Sequence, residues 1–215
     1  MTVHESLGAA LRDVWGNSWR LVPFNALLGI VLLAVAVGAS YVRATLVLVV
    51  LAGPLASALA HCAVKLAREE HLTLHEGIAG IRRHWRRGVV LAAIGGALGL
   101  LGYAAVSFYA SRGGIALAFA FVAVYLLFLA GVALLLLWPI AVAEPELPLR
   151  EAVRRTAQLV VRRPGASLGL GVALLLVNVA GVAAGAMPFL TLTIAYSFLA
   201  AANFALPRPT PEDPS

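Results

Sequence analysis

Charged residues are scarce in this sequence: Asp, Glu, Lys and Arg make up 12% of its 215 residues, whereas soluble domains carry about a quarter. Hydrophobic residues make up 61%, and they are gathered into long uninterrupted runs. A run of roughly 20 apolar residues is long enough to cross a bilayer. The composition therefore excludes a soluble globular protein and predicts an all-α protein that crosses a membrane several times.

Cysteine and lysine are nearly absent, since Cys62 and Lys65 are the sole examples of each. A single cysteine forms no internal disulfide, which excludes a disulfide-stapled secreted domain. The preference for Arg over Lys, with abundant Ala, Leu, Val and Gly, indicates a GC-rich bacterial genome. The net charge of +6 would suggest nucleic-acid binding in a soluble protein. In a membrane protein these charges set the topology instead, so we expect no nucleic-acid partner.

The apolar runs predict one transmembrane domain over residues 1–206 that contains six spans. An amphipathic segment covers residues 2–20, and the spans are expected at about 21–42, 44–64, 88–109, 115–142, 166–186 and 188–206. Arg43 marks a loop, because an arginine at the bilayer centre costs roughly 2.5 to 3.5 kcal/mol. Met187 and Pro188 mark the turn between the last two spans. The proline-rich tail, residues 207–215, is expected to be a disordered cytoplasmic tail.

A signal peptide is the alternative interpretation of the first apolar run. Its core would run from Leu27 to Val37, with Ala39 as the cleavage residue. The length of the run, and the acids and amphipathic pattern in its amino-terminal flank, favour a membrane span instead.

Basic residues are distributed very unequally between the two sides of the predicted topology. Fourteen lie in the amino-terminal segment, in the second-to-third and fourth-to-fifth connections and in the tail, whereas Arg43 and Arg112 lie on the other side. Because arginine-rich loops stay in the cytoplasm, we predict a multi-pass protein of the bacterial inner membrane with both termini cytoplasmic. The tryptophans fall on the same side, as expected for interfacial anchors, and they are Trp15, Trp19, Trp85 and Trp138.

A short motif recurs before each pair of predicted spans. Thr2-Val3-His4-Glu5 is matched 71 residues later by Thr73-Leu74-His75-Glu76, and Pro148-Leu149-Arg150-Glu151 follows after another 75. Thr73 and Glu76 have the spacing of a capping box. We interpret the pattern as three units, each a cytoplasmic interfacial amphipathic helix followed by a transmembrane hairpin, which predicts a pseudo-symmetric bundle. The alternative is that amphipathic helices between spans resemble one another by physical necessity.

Small residues recur at four-residue spacing within the spans, which lets helix backbones approach closely. The pairs are Gly95 with Gly99, Gly165 with Gly169, and Gly181 with Gly185. They predict packing between helices of this chain, with homo-oligomerisation as the alternative. Gly53 and Pro54 are expected to kink or loosen the second span.

Ionisable residues are missing from the middle of every predicted span, although such residues usually mark ion-coupled carriers. The candidate intramembrane polar contacts are Asn25, His61 and Asn178. For Asn25 and Asn178, hydrogen bonds between helices are favoured over ligand contact. We expect His61 about one turn from the cytoplasmic end of its helix.

Groups of residues with the spacing of a catalytic or metal site are likewise scarce. His71 and His75 are spaced like zinc ligands, but a helix that starts after Thr73 keeps the two imidazoles off a common face. We therefore predict no catalytic, cofactor-binding or metal site, and no cofactor. Basic clusters remain as candidate contacts for anionic headgroups or for a cytoplasmic partner, and their members are Arg82, Arg83, Arg86, Arg87, Arg150, Arg154 and Arg155.

Several short segments in a fixed order carry a family resemblance. They are Leu21 to Asn25, Gly53 to Leu59, Leu72 to Arg87, Trp138 to Ile140, and Leu149 to Arg154 followed by Arg163-Pro164. In this order they resemble the YesL family, small bacterial integral membrane proteins of uncharacterised function. Its members are often encoded beside genes for carbohydrate uptake and polysaccharide degradation. The resemblance implies an accessory role in sugar import and supplies no catalytic residue.

We therefore predict an accessory or regulatory component of carbohydrate uptake that is not an enzyme and that acts through the lipid bilayer and other membrane or transporter subunits. The first alternative is a permease or the membrane subunit of a transporter. In a transport-ATPase subunit, the helix with Glu151 and Ala152 would dock the ATPase, although the glycine typical of such loops is missing. The second alternative is a membrane-embedded enzyme that uses His75, Glu76 and His84.

Overall fold

The computed structural model describes residues 2–41, 48–68 and 72–206, and every contact reported below lies within them. The described chain is helical throughout, which confirms the predicted all-α class. Its helices are α1 (Val3–Tyr41), α2 (Ala52–Arg68), α3 (Leu74–Ala110), α4 (Ala116–Ala143), α5 (Leu149–Arg162), α6 (Pro164–Ala183), a π-helical turn (Phe189–Thr193) and α7 (Ile194–Ala205). The predictions for Arg43, His71 and residues 207–215 lie outside the described residues.

Five helical stretches of the described chain are long and apolar enough to cross a membrane. They are Val3–Gly38, Leu48–Arg68, Leu74–Ala110, Ala116–Ala143 and Pro164–Ala183. A further apolar helix, Phe189–Ala205, is shorter, and its 17 residues are at the lower limit of the roughly 17 to 25 that a span needs. The outer helices keep their apolar surface exposed, since only 6% of the most apolar stretch of α3 is buried. Soluble monomers rarely expose so much apolar surface, so the fold fits a membrane-embedded protein.

The shortest of the apolar helices is the most buried one. α7 packs against α1, α2 and α4, and Leu199 and Ala200 within it are fully buried. α7 carries alanine at several neighbouring positions. Because these side chains are small, three helices can approach its backbone closely. α7 therefore forms the centre of the bundle.

The first four turns of α3 continue directly into its apolar part. The helix runs from Leu74 to Ala110 without a break, a length of about 55 Å. The sequence analysis predicted a separate amphipathic helix lying on the membrane surface before residue 88, and for α3 this is wrong. The first amphipathic segment, residues 2–20, contains a kink at Asn17 in α1, and the third ends at Arg163, where α5 and α6 are separated.

Trp138 differs from the other tryptophans in the exposure of its side chain. The side chains of Trp15, Trp19 and Trp85 are 84%, 60% and 48% exposed, whereas Trp138 is 6% exposed and packs edge-on against Phe198 of α7. The prediction that Trp138 is an interfacial anchor is therefore wrong. The physical reason is that α7 covers the last turns of α4, where Trp138 lies.

α2 and α3 cross in direct backbone contact at two glycines. A Cβ atom on Gly53 would lie 2.4 Å from the carbonyl oxygen of Gly88, and a Cβ on Gly88 would lie 2.4 Å from that of Gly53. The Ser57 hydroxyl donates a 3.0 Å hydrogen bond to the Gly53 carbonyl oxygen, and it also contacts the His84 carbonyl oxygen of α3. The crossing thus depends on the absence of side chains at both glycines.

Gly53 and Pro54 lie in the first turn of α2, which begins at Ala52. The candidate span Leu48–Arg68 changes from a 3₁₀ turn at residues 48–51 to α-helix at Ala52, so its regular helix is loosened directly before Gly53 and Pro54, as predicted, and no kink is described within α2. Proline is compatible with the first turn of a helix, because an N–H group there has no partner within the helix in any case.

The predicted glycine pairs have two different environments. A Cβ on Gly95 would lie 2.6 Å from Leu134 of α4, and one on Gly181 would lie 2.9 Å from Thr193 of the π-helical turn. Gly99, Gly165, Gly169 and Gly185 have open space instead. The prediction of packing against another helix of this chain therefore holds for Gly95 and Gly181 and is wrong for the other four glycines.

We expect Gly88→Ala to lower the stability of the fold by about 1 to 3 kcal/mol, the usual cost of overpacking. Its new Cβ would lie 2.1 Å from the Ser57 hydroxyl oxygen. Gly99→Ala is the matched control, because it lies on the same helix with nothing within 4 Å of the added carbon. Thermal unfolding of both variants in detergent, followed by circular dichroism, checks the prediction. Equal melting temperatures would contradict it.

Candidate functional site

Charged residues gather at one end of the bundle, where the end of α2 meets the start of α3 and where α4 leads into α5. We call residues 65–68, 74–87 and 144–163 the basic end. Ion pairs connect its elements: Lys65 Nζ lies 3.1 Å from Glu76 Oε1, and Arg155 Nη1 lies 2.8 Å from Glu144 Oε1. The basic end is therefore held together by contacts between α2 and α3 and between the end of α4 and α5.

The recurring motif starts a helix in all three copies, but its side chains act differently in each. In the first copy, the Thr2 N–H donates to Glu5 Oε2 and the Glu5 N–H donates to Thr2 Oγ1, which is a capping box. In the second copy, Thr73 makes no side-chain cap, so the predicted capping box at Thr73 and Glu76 is wrong. The Glu76 carboxylate binds Lys65 instead, because a charge-assisted hydrogen bond is stronger than one to a neutral amide.

Arg87 binds the end of α4. Its guanidinium donates hydrogen bonds to the carbonyl oxygens of Ala141 (2.8 Å), Glu144 (3.1 Å), Pro145 and Leu147 (2.6 Å). The last carbonyls of a helix have no partner within the helix, and a guanidinium has five donors to offer them. Arg87, which the sequence analysis assigned to headgroup or partner contact, is instead used inside the protein to fix the link between α4 and α5.

Arg154 and Arg155 are exposed and paired with carboxylates. Arg154 donates to both carboxylate oxygens of Glu151 at 2.8 and 2.7 Å, and Arg155 donates to both oxygens of Glu144 at 2.8 and 2.9 Å. The hydrogen bond from Arg154 lowers the pKa of Glu151. Exposed pairs of this kind contribute little to stability, so both arginines can exchange partners.

The remaining arginines among the candidate contacts lie on the surface. Arg82, Arg83, Arg86 and Arg150 are exposed, and the Arg86 guanidinium lies 5.3 Å from the centre of the Trp85 ring. These side chains give the basic end a positive outer surface.

Asn25 of α1 supplies hydrogen bonds to the π-helical turn. Its amide nitrogen donates to the carbonyl oxygens of Phe189 and Leu190, both at 2.8 Å, and its amide oxygen accepts from the Ala195 N–H. A π-helical turn shifts the hydrogen-bond register and leaves backbone groups without their usual partners. Asn25 is fully buried, and it pairs these backbone groups where water is absent.

Asn178 joins α6 to the same region. Its amide nitrogen donates to the Ser197 hydroxyl of α7 at 2.8 Å, and its amide oxygen accepts from the Thr193 hydroxyl at 3.1 Å. Asn25 and Asn178 thus make the interhelical hydrogen bonds that the sequence analysis favoured over ligand contacts.

His61 lies between Glu76 and His84 at the basic end. Its Nε2 is 3.5 Å from Glu76 Oε2, and its ring centre is 5.3 Å from that of His84. His84 is only 2% exposed, and its Nδ1 has no hydrogen-bond partner. His75, the third member of the constellation considered for an enzyme, is exposed. Nowhere in the described residues do three His, Cys, Asp or Glu side chains come together in a way that could hold a metal ion.

A cavity of about 140 Å³ adjoins the two histidines. Its polar lining consists of His61, Lys65, Arg68, Arg83 and His84, and residues Val142, Ala143 and Pro145 at the end of α4 complete its wall together with Val64. The sequence pointed to His84 only as a member of the possible enzyme constellation with His75 and Glu76, and the sequence analysis did not predict this cavity. A signal was present, since Gly77, Gly80 and Gly88 surround His84 at helical spacing, and all three face neighbouring helices.

Comparisons of the chain with protein-family models, with curated proteins and with solved structures find no match.

We expect Asn25→Leu to destabilise the fold by about 1 to 3 kcal/mol, because it leaves buried backbone groups of the π-helical turn without partners. Thr191→Val is the control, since the Thr191 hydroxyl bonds only to carbonyls of its own helical turn among the described contacts. Thermal unfolding in detergent measures both. An Asn25→Leu protein as stable as the control would show that these hydrogen bonds contribute nothing.

Arg87→Lys is expected to loosen residues 144–148, because a single ammonium group cannot replace a planar guanidinium that reaches four carbonyls. Arg86→Lys is the neighbouring control with the same chemical change. Amide hydrogen exchange in detergent should be about tenfold or more faster at Leu147 in Arg87→Lys than in Arg86→Lys, given the roughly 1.5 to 3 kcal/mol carried by hydrogen bonds to charged groups. Equal exchange rates would refute the assigned role of Arg87.

Proposed function

We propose that this chain is a six-span protein of the bacterial inner membrane, with both termini in the cytoplasm, and that it serves as an accessory or regulatory component of carbohydrate uptake. In this proposal the basic end faces the cytoplasm and contacts both anionic headgroups and a subunit of a transporter. The observation that carries it is a contrast in how polar groups are used. Asn25, Asn178 and Arg87 are bonded to atoms of this chain, whereas an array of arginines on the basic end points outward.

The topology is supported by the distribution of charge. Fourteen of the 16 basic residues fall on one side of a six-span arrangement, which is the bias expected for cytoplasmic segments. Arg112 lies at the opposite end of α3, where its guanidinium is 3.9 Å from the centre of the Phe108 ring. An even number of spans puts both termini on the arginine-rich side.

α5 has the surface of a helix that lies at the headgroup level. Val153 and Val161 are 45% and 77% exposed, and their spacing places them on the same side of the helix as the exposed residues Arg150 and Arg154. Apolar side chains that enter the interface beside arginines that stay in contact with headgroups are typical of interfacial helices. This arrangement supports an interfacial role for α5. α3 has no separate interfacial helix of this kind.

The proposed threefold repeat is supported by the position of one junction. In each copy, the residue fifteen positions after the start of the motif lies at the start of the apolar run or within four residues before it: Asn17, Gly88 and Arg163. Asn17 and Arg163 have non-helical backbone angles, and Gly88 is the site of the close crossing with α2. A common junction is expected if the three units share one origin and have since diverged in geometry.

A permease in its own right is less well supported. The intramembrane candidates Asn25 and Asn178 bind other helices of this chain, and the cavities lined by several arginines lie at the basic end. An accessory role uses the features that remain, namely the exposed arginines of α3 and α5.

Purification of the tagged protein from its native membranes in mild detergent tests the proposal. We expect a carbohydrate-transporter subunit to copurify, and the triple variant Arg82→Gln, Arg86→Gln, Arg150→Gln to retain about tenfold less of it. This estimate assumes roughly 0.5 to 1 kcal/mol for each exposed charge. The remaining 11 basic residues on that side, against two on the other, should preserve the topology of the variant.

Arg112→Gln is the control, because it removes an arginine from the opposite end of α3. Copurification that is equal in all three proteins would contradict a docking role for the basic end. A protein that purifies without partners and transports sugar in liposomes would reject the accessory role in favour of a permease.

A further inference from the structure

A cavity of about 350 Å³ lies between one face of α5 and the ends of three other helices. We call it the α5 groove. α5 contributes four residues whose helical spacing puts them on one face, namely Arg155, Gln158, Leu159 and Arg162. The other helix ends contribute Arg68 from α2, Ile140 and Glu144 from the end of α4, and Ala205 and Leu206 from the end of α7. The volume is within the roughly 300 to 1,000 Å³ that is typical of small-molecule sites.

The charges that line the α5 groove do not cancel. Arg155 donates to both carboxylate oxygens of Glu144, so this pair is neutral. Arg68 and Arg162 are exposed, and within the described residues neither guanidinium makes a hydrogen bond or an ion pair. The groove therefore has a surplus of two positive charges, and both are on side chains that are available to an anion.

The type and the position of these two side chains favour a phosphate group. A guanidinium presents its donors in a planar fork that matches the spacing of phosphate oxygens. Arg68 comes from α2 and Arg162 from α5, so a bound anion would be contacted from two helices. A phosphate group has enough oxygens to accept hydrogen bonds from both.

The apolar part of the lining favours a lipid over a free ion. Ile140 is buried, and Leu159, Ala205 and Leu206 are partly buried. A hydrated ion gains nothing from such a wall, whereas the glycerol backbone and first methylene groups of a phospholipid would bury apolar surface against it. The exposed valines of α5 fit a helix at the headgroup level. Basic pockets between membrane helices are typical sites for anionic headgroups.

We propose that the α5 groove binds one anionic phospholipid, with its phosphate held by Arg68 and Arg162 and its glycerol backbone against Leu159 and Leu206. The proposal rests on the part of the proposed function that puts the basic end at the headgroup level. It is separate from the proposed docking surface, because none of the three arginines of that triple variant lines the groove. The surplus of positive charge predicts a preference for phosphatidylglycerol over phosphatidylcholine, whose choline group cancels the charge of its phosphate.

Native mass spectrometry of the full-length chain in a non-ionic detergent tests the proposal. Wild type and one variant are mixed in equal amounts with limiting phosphatidylglycerol, so the two proteins compete for the lipid and their bound fractions give the ratio of affinities. Arg68→Gln and Arg162→Gln are the test variants, one on each helix, because both side chains are exposed and their replacement leaves the packing intact. Arg150→Gln is the matched control, the same change at an exposed arginine of α5 outside the groove.

Each test variant should bind phosphatidylglycerol about tenfold more weakly than the wild type, as expected for the loss of a charged hydrogen bond, whereas Arg150→Gln should bind within about twofold. Test variants that bind as tightly as the wild type would overturn the proposal. Equal weakening by Arg150→Gln would also overturn it, because net charge alone would then attract the lipid.

Two further arms examine the identity of the ligand. Wild type should bind phosphatidylcholine more weakly than phosphatidylglycerol, and inorganic phosphate should leave the bound lipid in place. Equal binding of the two lipids, or displacement by inorganic phosphate at the concentration of the lipid, would contradict an anionic phospholipid as the ligand. No transporter subunit enters this experiment, so a failure to copurify one would reject the accessory role without affecting this result.

Discussion

Hydrocarbon offers no hydrogen bonds, so every backbone group that a helix leaves unpaired must find its partner within the protein. In this chain the π-helical turn before α7 has such groups within the apolar part of the bundle, and the end of α4 has carbonyl groups without helical partners at the basic end. Asn25 serves the first and Arg87 serves the second. Both side chains come from a different helix, so pairing the backbone also fixes the helices relative to one another. α1 is thereby joined to the π-helical turn and α7, and α3 is joined to the link between α4 and α5.

The same constraint explains where small residues are placed. Helices in a membrane gain little from apolar contact alone, because lipid tails are as apolar as the side chains. Close approach of backbones is therefore an important source of stability, and the crossing of Gly53 with Gly88 provides it between α2 and α3. α7 achieves a similar effect with alanine, since Ala200, Ala201 and Ala202 are fully buried. The bulky apolar side chains are left for the outer surfaces of α3 and α4.

Features that depend on local spacing could be predicted from the sequence. The helical class follows from the apolar runs, and the recurring motif does mark the starts of α1, α3 and α5. The interhelical role of Asn25 and Asn178 followed from the cost of an unpaired amide in hydrocarbon, although their partners in the π-helical turn and α7 could not be deduced.

Features that depend on a distant partner could not be predicted. Glu76 has the spacing of a capping residue, but Lys65 of α2 competes for its carboxylate. Arg87 belongs to a run of arginines that looks uniform in the sequence, and only the position of α4 separates it from Arg86. The cavity beside His84 needs three elements to form, so no single segment contains its pattern.

The contacts of Arg87 also affect how α5 can move, because its guanidinium donates a hydrogen bond to the Leu147 carbonyl just before α5 begins. The start of α5 is therefore coupled to α3. A displacement of α5 relative to α3 has to break the hydrogen bonds of Arg87 or move α3 as well.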